Sequence, residues 1–283
     1  MVGRSTWWRR MPRTVVVVGV VFVSFVAGAV AVWAAGPAIQ TITPHSERDI
    51  TNLDVLRQQI RNYYGDPLGT GVFADDSFYA KEARSAASAG AAYLKLGSPA
   101  RPMTAIVLDV DDTTLATWNY EIFSNWAFNP TTNAQFVTDQ LFPAVPGMVD
   151  LVNRAAQAGY TIVFLTGRGA AQEAATLGNL TADGIGVDAG YPTPSTLNDG
   201  EDGLFTKPPV GSYPDYLNTP QFCGPSIAAG VSCPTVLYKS GTRAHIESLG
   251  YDIVANFGDQ FSDLNGGFAN RTFKMPNPNY FLP

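Results

Sequence analysis

The chain has 283 residues, a formal net charge of −6, and a composition of 46% hydrophobic and 12% aromatic residues that supports a sizeable core and excludes a disordered chain. Apart from the four arginines among residues 1–13, 14 basic residues face 24 acidic ones, a net charge of −10. So acidic a domain is not expected to bind a nucleic acid polymer or an anionic membrane face, and a small anionic substrate would need local cations, which points to a metal.

The N-terminal segment is predicted to direct the chain out of the cytoplasm. Residues 1–13 form a basic n-region, and residues 14–36 carry no charge, a pattern typical of a signal peptide or a transmembrane anchor. A buried core helix is the less favoured alternative. We expect the arginines in the cytoplasm and the rest exported, either anchored in the cell membrane or secreted if the segment is cleaved. Residues 37–46 follow as a tether.

The chain contains two cysteines, Cys223 and Cys233. In an oxidising compartment, a pair this close in sequence is expected to form a disulfide within a Pro- and Gly-rich stretch. Two thiols do not make a zinc site, and neither His45 nor His245 lies at ligand spacing from them.

Two amphipathic helices are predicted before the first strand. Apolar residues recur at helical spacing from Glu47 to Tyr64, and a second helix is predicted from about Ser77 to Leu96. We expect both helices to pack on the sheet, and a role as a lid stays open.

The first predicted strand ends in a group of acids. An apolar run at 105–108 is typical of a short buried strand, and Asp109, Asp111 and Asp112 follow it. Carboxylates at the end of a buried strand need a cation, a proton or hydrogen-bond donors, and Mg²⁺ is the ordinary cation for carboxylate and carbonyl oxygens. Asp109 and Asp111 fall on one side of an extended segment, so one can act as a nucleophile and the other as an acid and base. Capping a helix or lining a turn is the alternative role for these acids.

The segment at 116–146 is rich in aromatic residues and is predicted either as a small hydrophobic sub-core or as a wall of the substrate site. A helix is predicted to open at Pro146-Gly147 and to end near Gly159.

The second predicted strand, Thr161 to Leu165, ends in Thr166-Gly167-Arg168, and a helix is predicted from about Ala170 to Leu180. A hydroxyl and free backbone N–H groups at a helix N-terminus are typical of an anion site. Residues 184–234 have little periodicity and are predicted as a surface loop insertion, with a solvated Lys207 inside it.

Three further strands are predicted towards the C-terminus. Residues 235–238 are predicted to lead as a strand into Lys239, where an ammonium group can balance carboxylates or bind a phosphoryl oxygen. A helix is predicted from about 242 to 249. Residues 252–257 form the next strand, and Asp259 and Asp263 follow it in a tight turn from which both can reach a metal. Residues 272–278 are predicted as an edge strand and an extended end.

The chain resembles the acid phosphatase branch of the haloacid dehalogenase (HAD) superfamily, class B or subfamily IIIB, which includes plant acid phosphatases, vegetative storage proteins and exported bacterial relatives. The resemblance covers roughly residues 47–283. Besides Thr166-Gly167 it is carried by Val-Leu-Asp-Val-Asp-Asp-Thr at 107–113, Val-Pro-Gly at 145–147, Tyr-Lys-Ser at 238–240, Gly-Asp-Gln-Phe-Ser-Asp-Leu at 258–264 and Pro-Asn-Pro at 276–278.

The resemblance implies a role for each motif residue. It makes Asp109 the nucleophile that forms an aspartyl-phosphate, and Asp111 the general acid and then base. The phosphoryl group would be held by Thr166, Gly167 and Lys239. The expected cofactor is Mg²⁺, and its ligands would be the Asp109 carboxylate, the Asp111 backbone carbonyl, Asp259, and Asp263 either directly or through water.

The implied fold is α/β, a Rossmann-like parallel sheet flanked by helices, with the aromatic-rich segment after the first catalytic strand as a small cap. Repeated strand-helix units place the site at the carboxyl ends of the strands. The function expected from the resemblance is an exported Mg²⁺-dependent phosphomonoesterase for small phosphate esters, nucleotides among them. A catalytically weak binding or storage protein is the alternative, whereas Asp111 argues against a dehalogenase because halide displacement needs no proton donor. The oligomeric state stays open.

Overall fold

The structure is a computed structural model that describes residues 43–181 and 184–282. The predicted n-region and the predicted signal or anchor segment, residues 1–36, lie outside these ranges. No helix inside them combines the length and the apolar character needed to cross a membrane.

Five apolar segments form one parallel sheet with the strand order β3-β2-β1-β4-β5. All five residues of β1 are buried, as in sheets that are covered on both faces. The predicted α/β class with a parallel sheet is therefore confirmed. The strands are β1 (Thr104–Leu108), β2 (Thr161–Gly169), β3 (Leu204–Lys207), β4 (Asp252–Gly258) and β5 (Thr272–Lys274).

Helices cover both faces of this sheet. Side chains alternate along β1, so that Ile106 and Leu108 pack in a core with α2 and α5, while Val107 packs on the opposite face with α8. The α-helices of the described residues are α1 (Leu53–Tyr63), α2 (Phe78–Leu94), α3 (Trp118–Ser124), α4 (Pro130–Thr138), α5 (Met148–Ala158), α6 (Glu173–Leu180), α7 (Gly224–Ala228), α8 (Thr235–Ser248) and α9 (Phe261–Leu264).

The two helices before β1 differ in what they contact. Helix α2 starts where the Ser77 hydroxyl accepts a hydrogen bond from the Ala80 N–H, and it packs against α5 and β4 as expected. Helix α1 does not lie on the sheet. It leads to Tyr64, whose ring stacks on Trp118 at 4.1 Å between centroids and on Tyr79 at 4.3 Å. This aromatic stack joins α1 to α2 and to the cap.

The cap segment, residues 116–146, contains the short helices α3 and α4. Tyr120 and Phe142 are buried and pack with Phe136 against the core on the α2 and α5 face of the sheet. Phe123 and Phe128 on the same segment are exposed. The sub-core that the sequence offered as one interpretation is therefore present, and it is continuous with the main core.

The prediction of a strand at 235–238 is wrong, because these residues form the first turn of α8. Tyr238, Thr242 and Ile246 are buried at a spacing of four, which places them on one helical face. Gly241 stands inside the helix because a β-carbon there would lie 2.6 Å from Leu217 Cδ2. Lys239 therefore projects from a helix and not from a strand end.

The segment predicted as a surface loop at 184–234 contributes more to the fold than expected. It supplies β3, a four-residue edge strand that pairs with β2. Leu217 and both cysteines are buried in the core on the α8 face. Cys223 and Cys233 form a disulfide with their Cα atoms 5.2 Å apart, so the predicted bridge is confirmed.

Candidate active site

Parallel strands bring several polar side chains to one edge of the sheet. Asp109 directly follows β1 and Asp259 directly follows β4, while Thr166 lies in the last part of β2. The Asp109 N–H donates to the Phe257 carbonyl at 3.0 Å, which continues the pairing between β1 and β4 to the acid itself. The carboxyl edge thus holds Asp109 rigidly between two neighbouring strands.

Three carboxylates, Asp109, Asp259 and Asp263, form what we call the buried acidic cluster. Each offers an oxygen within 4.8 Å of the other two, and none of the three residues is more than 6% exposed. Burial and the charge of Asp263 raise the pKa of Asp109 well above its usual value. Burial and the carboxylates of Asp263 and Asp112 raise the pKa of Asp259 to about 7. Keeping the carboxylates of this cluster ionised therefore costs free energy.

Lys239 is the cation of this cluster. Its ammonium group donates to Asp109 and, at 2.6 Å, to Asp263. Burial lowers the pKa of Lys239, but these two carboxylates outweigh the burial and raise the pKa above its usual value. One ammonium group faces three buried carboxylates, so the cluster is short of positive charge.

The oxygens of the cluster are oriented by a second set of donors. The Gln260 N–H donates to Asp263 at 2.8 Å, and its side-chain amide donates to Asp259 at 2.6 Å. Asn277 donates to Asp259 at 2.7 Å, and Thr113 donates to it at 3.2 Å. The C-terminal Pro-Asn-Pro segment thereby lies over the site, which explains why that motif accompanies the acids.

Asp112 is a buried acid that the sequence did not assign to the site. Its backbone lies in the left-handed region at φ 53°, which Asp tolerates better than most residues. Its carboxylate accepts bonds from the Thr117 N–H at 2.9 Å and from the Thr117 hydroxyl at 2.5 Å. Burial raises its pKa to about 7. Asp112 therefore fastens the acid loop to Thr117, the residue before α3, which is a turn contact of the kind offered as the alternative.

Asp111 is held by an arginine that the sequence left without a role. Arg168 Nη2 donates to Asp111 Oδ1 at 2.7 Å, and Arg168 Nε donates to Oδ2 at 3.0 Å. The guanidinium lies 5.3 Å from the centroid of the Phe142 ring and donates to Thr176 at 3.1 Å. The position of an arginine directly after Thr166-Gly167 was the available signal. Such a bidentate pair fixes the orientation of the Asp111 carboxylate.

Thr166 and Gly167 lie beside this pair in β2. Thr166 is buried and its hydroxyl accepts from the Arg168 N–H at 3.1 Å, whereas Gly167 is exposed. The helix predicted to follow begins as a 3₁₀ turn at Ala170–Gln172. The structure therefore brings every predicted site residue to the carboxyl edge of the sheet.

Glu121 on α3 is another acid that the sequence missed. It is only 8% exposed, and its carboxylate accepts no hydrogen bond from the described residues. Burial and the negative charge of Asp111 raise its pKa to about 7. Helix α3 thus places an unpaired carboxyl group on the cap side of Asp111.

The buried acidic cluster fits a hard divalent cation. Its ligand atoms are all carboxylate oxygens, which such cations prefer. The negative charge of its three carboxylates exceeds the single positive charge of Lys239. The backbone carbonyl of Asp111 accepts no hydrogen bond within the described chain and can serve as a further oxygen ligand. Asp109, Asp259 and Asp263 are the residues that would hold the ion.

Three comparisons relate this chain to known proteins. The family model described as HAD superfamily, subfamily IIIB (Acid phosphatase), matches residues 35–203 and 231–283. The chain is 32% identical to the stem 28 kDa glycoprotein of Glycine max over 186 residues, 64% of this chain and 61% of that protein. It is 26% identical to acid phosphatase 1 of Solanum lycopersicum over 185 residues, 62% of this chain and 58% of that protein. The chain thus spans less than two thirds of the length of these curated relatives.

Two further matches are shorter or structural. Vegetative storage protein 2 of Arabidopsis thaliana is 44% identical over 54 residues, 19% of this chain and 20% of that protein. The class C acid phosphatase from Bacillus anthracis superposes with a TM-score of 0.53 at 18% identity, covering 80% of this chain and 86% of that one. That phosphatase also has a crystal structure with tungstate bound. At this identity the structural likeness concerns the fold.

Proposed function

The chain belongs to subfamily IIIB of the HAD superfamily, the acid phosphatases, and we therefore propose that it hydrolyses small phosphate monoesters with the help of Mg²⁺. The observation that carries the proposal is the buried acidic cluster with Lys239 at the carboxyl ends of the strands, next to Asp111. Nucleotides are among the expected substrates. The family match contributes the reaction class, and the geometry contributes the residues.

Asp109 is the proposed nucleophile. Its carboxylate oxygen attacks phosphorus, the bond from phosphorus to the leaving oxygen breaks, and an aspartyl-phosphate forms. Uncatalysed hydrolysis of phosphate monoesters is among the slowest reactions known, and enzymes accelerate it by up to about 10²¹-fold. Most of that gain has to come from positioning and from charge compensation, which the rigid placement of Asp109 and its contact with Lys239 support.

Asp111 is the proposed general acid and base. It gives a proton to the leaving oxygen in the first step and takes one from the attacking water in the second, which releases inorganic phosphate. The side chain is 31% exposed, so it is open to a leaving group, and Arg168 fixes its direction. Arg168 is thus a positioning residue that acts through Asp111.

Thr166, Gly167 and Lys239 are proposed to hold the phosphoryl group. Lys239 supplies a fully charged ammonium group, and Gly167 leaves the end of β2 open to a ligand. Mg²⁺ held by Asp109, Asp259, Asp263 and the Asp111 carbonyl would neutralise negative charge on the acids and on the phosphoryl group.

We also propose that the chain is exported, either anchored or secreted. The basic n-region and the uncharged segment at 14–36 support export. The disulfide between Cys223 and Cys233 is in keeping with an oxidising compartment.

Phosphate release by the full chain tests the enzymatic proposal. The substrates are p-nitrophenyl phosphate and a panel of 5′-nucleotides, each measured with Mg²⁺ and with EDTA from pH 4 to 8. Release that requires the metal is the expected result, and the panel ranks the substrates. Release that is unchanged by EDTA would contradict the role of Mg²⁺.

A binding or storage protein is the second candidate, favoured by the similarity to a protein named vegetative storage protein 2. Both Asp109 and Asp111 are present here, which favours the enzyme. Tight binding of phosphate esters with no release of phosphate at any pH would favour the second candidate instead.

A further inference from the structure

Lys207 occupies a position that the family model does not cover. It lies between the two matched parts of the chain, residues 35–203 and 231–283. It is the last residue of β3, and its register partner in β2 is Gly169. Since β3 is parallel to β2, Lys207 lies at the carboxyl edge, the same edge as Thr166 and Asp109. The prediction of a solvated lysine in a loop is wrong, because Lys207 is half-buried on a strand.

Lys207 contacts a residue that lies close to Lys239 and Gly167, two of the residues proposed to hold the phosphoryl group. Its ammonium nitrogen lies 3.4 Å from the Thr235 hydroxyl. Thr235 precedes Lys239 by four residues on α8, and residues four apart share a helix face with their Cβ atoms about 6 Å apart. A β-carbon on Gly167 would lie 3.8 Å from Thr235 Cγ2. Thr235 therefore connects Lys207 to Gly167 and, one helical turn along α8, to Lys239.

Lys207 differs from the other cations near the site in having no counter-charge. Lys239 is paired with Asp109 and Arg168 with Asp111, whereas Lys207 forms no ion pair with any residue that the structure describes. Burial lowers the pKa of Lys207; Tyr213 opposes this shift in part, and the positive charge of Lys239 adds to it. A half-buried ammonium group beside a second cation gains from an anion that contacts both.

We propose that Lys207 binds a second anionic group of the substrate, so that the chain prefers phosphate monoesters whose alcohol part carries a carboxylate or a second phosphate. The reacting phosphoryl group lies beside Lys239 and Gly167, and the second anion lies beside Thr235 and Lys207. This inference rests on the proposed function, since it uses the same phosphoryl site. Lys207 would then determine substrate specificity through direct contact with the substrate.

Steady-state kinetics of the full chain with matched substrates test the proposal. Glycerol 3-phosphate has no second anion, 3-phosphoglycerate adds a carboxylate, and propane-1,3-diol bisphosphate adds a phosphate. In Lys207→Gln, KM for the two substrates with a second anion is expected to rise roughly tenfold or more, since hydrogen bonds to charged groups are of that strength. KM for glycerol 3-phosphate and kcat for all three stay within about twofold. A larger rise for one of the two substrates tells which second anion Lys207 prefers.

Two matched variants show whether the charge at this position is responsible. Lys274→Gln removes the lysine that ends β5, which is exposed and donates to the Met275 carbonyl at 2.8 Å, and it is expected to change no KM value. Lys207→Arg keeps the charge and is expected to retain the preference. An equal change of KM for all three substrates in Lys207→Gln, or the same loss in Lys207→Arg, would overturn the proposal.

Calorimetric titration separates this inference from the proposed function. It uses Asp109→Asn and the double variant Asp109→Asn/Lys207→Gln, with 3-phosphoglycerate and glycerol 3-phosphate as the ligands. Tighter binding of 3-phosphoglycerate that disappears in the double variant supports the role of Lys207 even if the chain hydrolyses none of the substrates. Equal affinities of the two ligands for Asp109→Asn would overturn it even if the chain is an active phosphatase.

Discussion

The two edges of the sheet each gather three groups of the kind that ligate metals, but in different surroundings. The carboxyl edge holds the buried acidic cluster, where a single ammonium group faces three carboxylates. The amino edge holds what we call the exposed cluster, which consists of Asp199, Glu201 and His245, and its ligand atoms also lie within 4.8 Å of one another. His245 Nε2 is 3.1 Å from Asp199, and its ring stacks on Tyr216 at 4.0 Å between centroids. The Glu201 side chain is 44% exposed.

Proximity of acids alone does not decide whether a cluster requires a cation. Carboxylates of the exposed cluster keep part of their water, since the Asp199 side chain is 26% exposed and the Glu201 carboxyl, whose pKa burial raises, is only partly buried. Surface ion pairs contribute only about 0–1 kcal/mol. Carboxylates of the buried cluster have lost that water, so burial raises the pKa of Asp109 and Asp259. Only the buried cluster therefore needs a cation to hold its charge. Matched substitutions in the two clusters should have effects of different size on activity and stability.

The largest expected difference concerns activity. Asp109→Asn removes the proposed nucleophile while keeping the volume of the side chain, so kcat for p-nitrophenyl phosphate should fall by at least about 10⁴-fold. Asp199→Asn makes the same change in the exposed cluster and should leave kcat within about twofold. Steady-state assays with saturating Mg²⁺ measure both. Full turnover by Asp109→Asn would rule out the covalent mechanism.

The next difference concerns stability. Lys239→Met leaves Asp109 and Asp263 without their shared cation, and removing one partner of a buried ion pair costs about 3–5 kcal/mol. His245→Gln removes the imidazole ring that contacts Asp199 in the exposed cluster and should cost less than about 1 kcal/mol. Urea unfolding at pH 7 in the presence of EDTA compares the two variants. Equal losses would mean that burial does not distinguish the clusters.

Much of the buried cluster could be predicted from the sequence, because strand ends are readable. The apolar runs before Asp109 and Asp259 predicted strands, and carboxyl ends of parallel strands meet at one edge. Lys239 was predicted at the right edge for the wrong reason. Val-Leu-Tyr before it is typical of a strand, and Gly241 after it is typical of a break between two elements, yet Gly241 lies inside α8 because Leu217 packs on it.

Residues that act through distant contacts were beyond the reach of sequence patterns. Arg168 pairs with Asp111 across 57 positions, and no local periodicity connects the two. Strand β3 has four residues in a Gly- and Pro-rich stretch, too few for a periodic signal, so the position of Lys207 at the site was missed as well. Both became visible only once the order of the strands was known.

The smallest of the three expected differences compares two glutamates and depends on pH. Burial and the charge of Asp111 raise the pKa of Glu121 to about 7, above its value in an unfolded chain. The folded state therefore binds the Glu121 proton more tightly than the unfolded chain does. The stability that the protonated Glu121 contributes is complete below about pH 4.5 and is lost as pH rises through about 7. Glu121→Gln removes the buried charge and should raise the free energy of unfolding at pH 8 by about 3 kcal/mol.

At pH 4 the same substitution should change stability little, since Glu121 is then protonated in both states. Glu201→Gln is the matched change in the exposed cluster, and it should stay within about 0.5 kcal/mol at either pH. Urea unfolding at pH 4 and pH 8 with EDTA measures all four values. A gain for Glu121→Gln that is the same at both pH values would show that packing is responsible and that the Glu121 carboxylate does not carry an uncompensated charge beside Asp111. A gain confined to high pH would show that Glu121 carries an uncompensated buried charge beside Asp111, outside the set of proposed metal ligands.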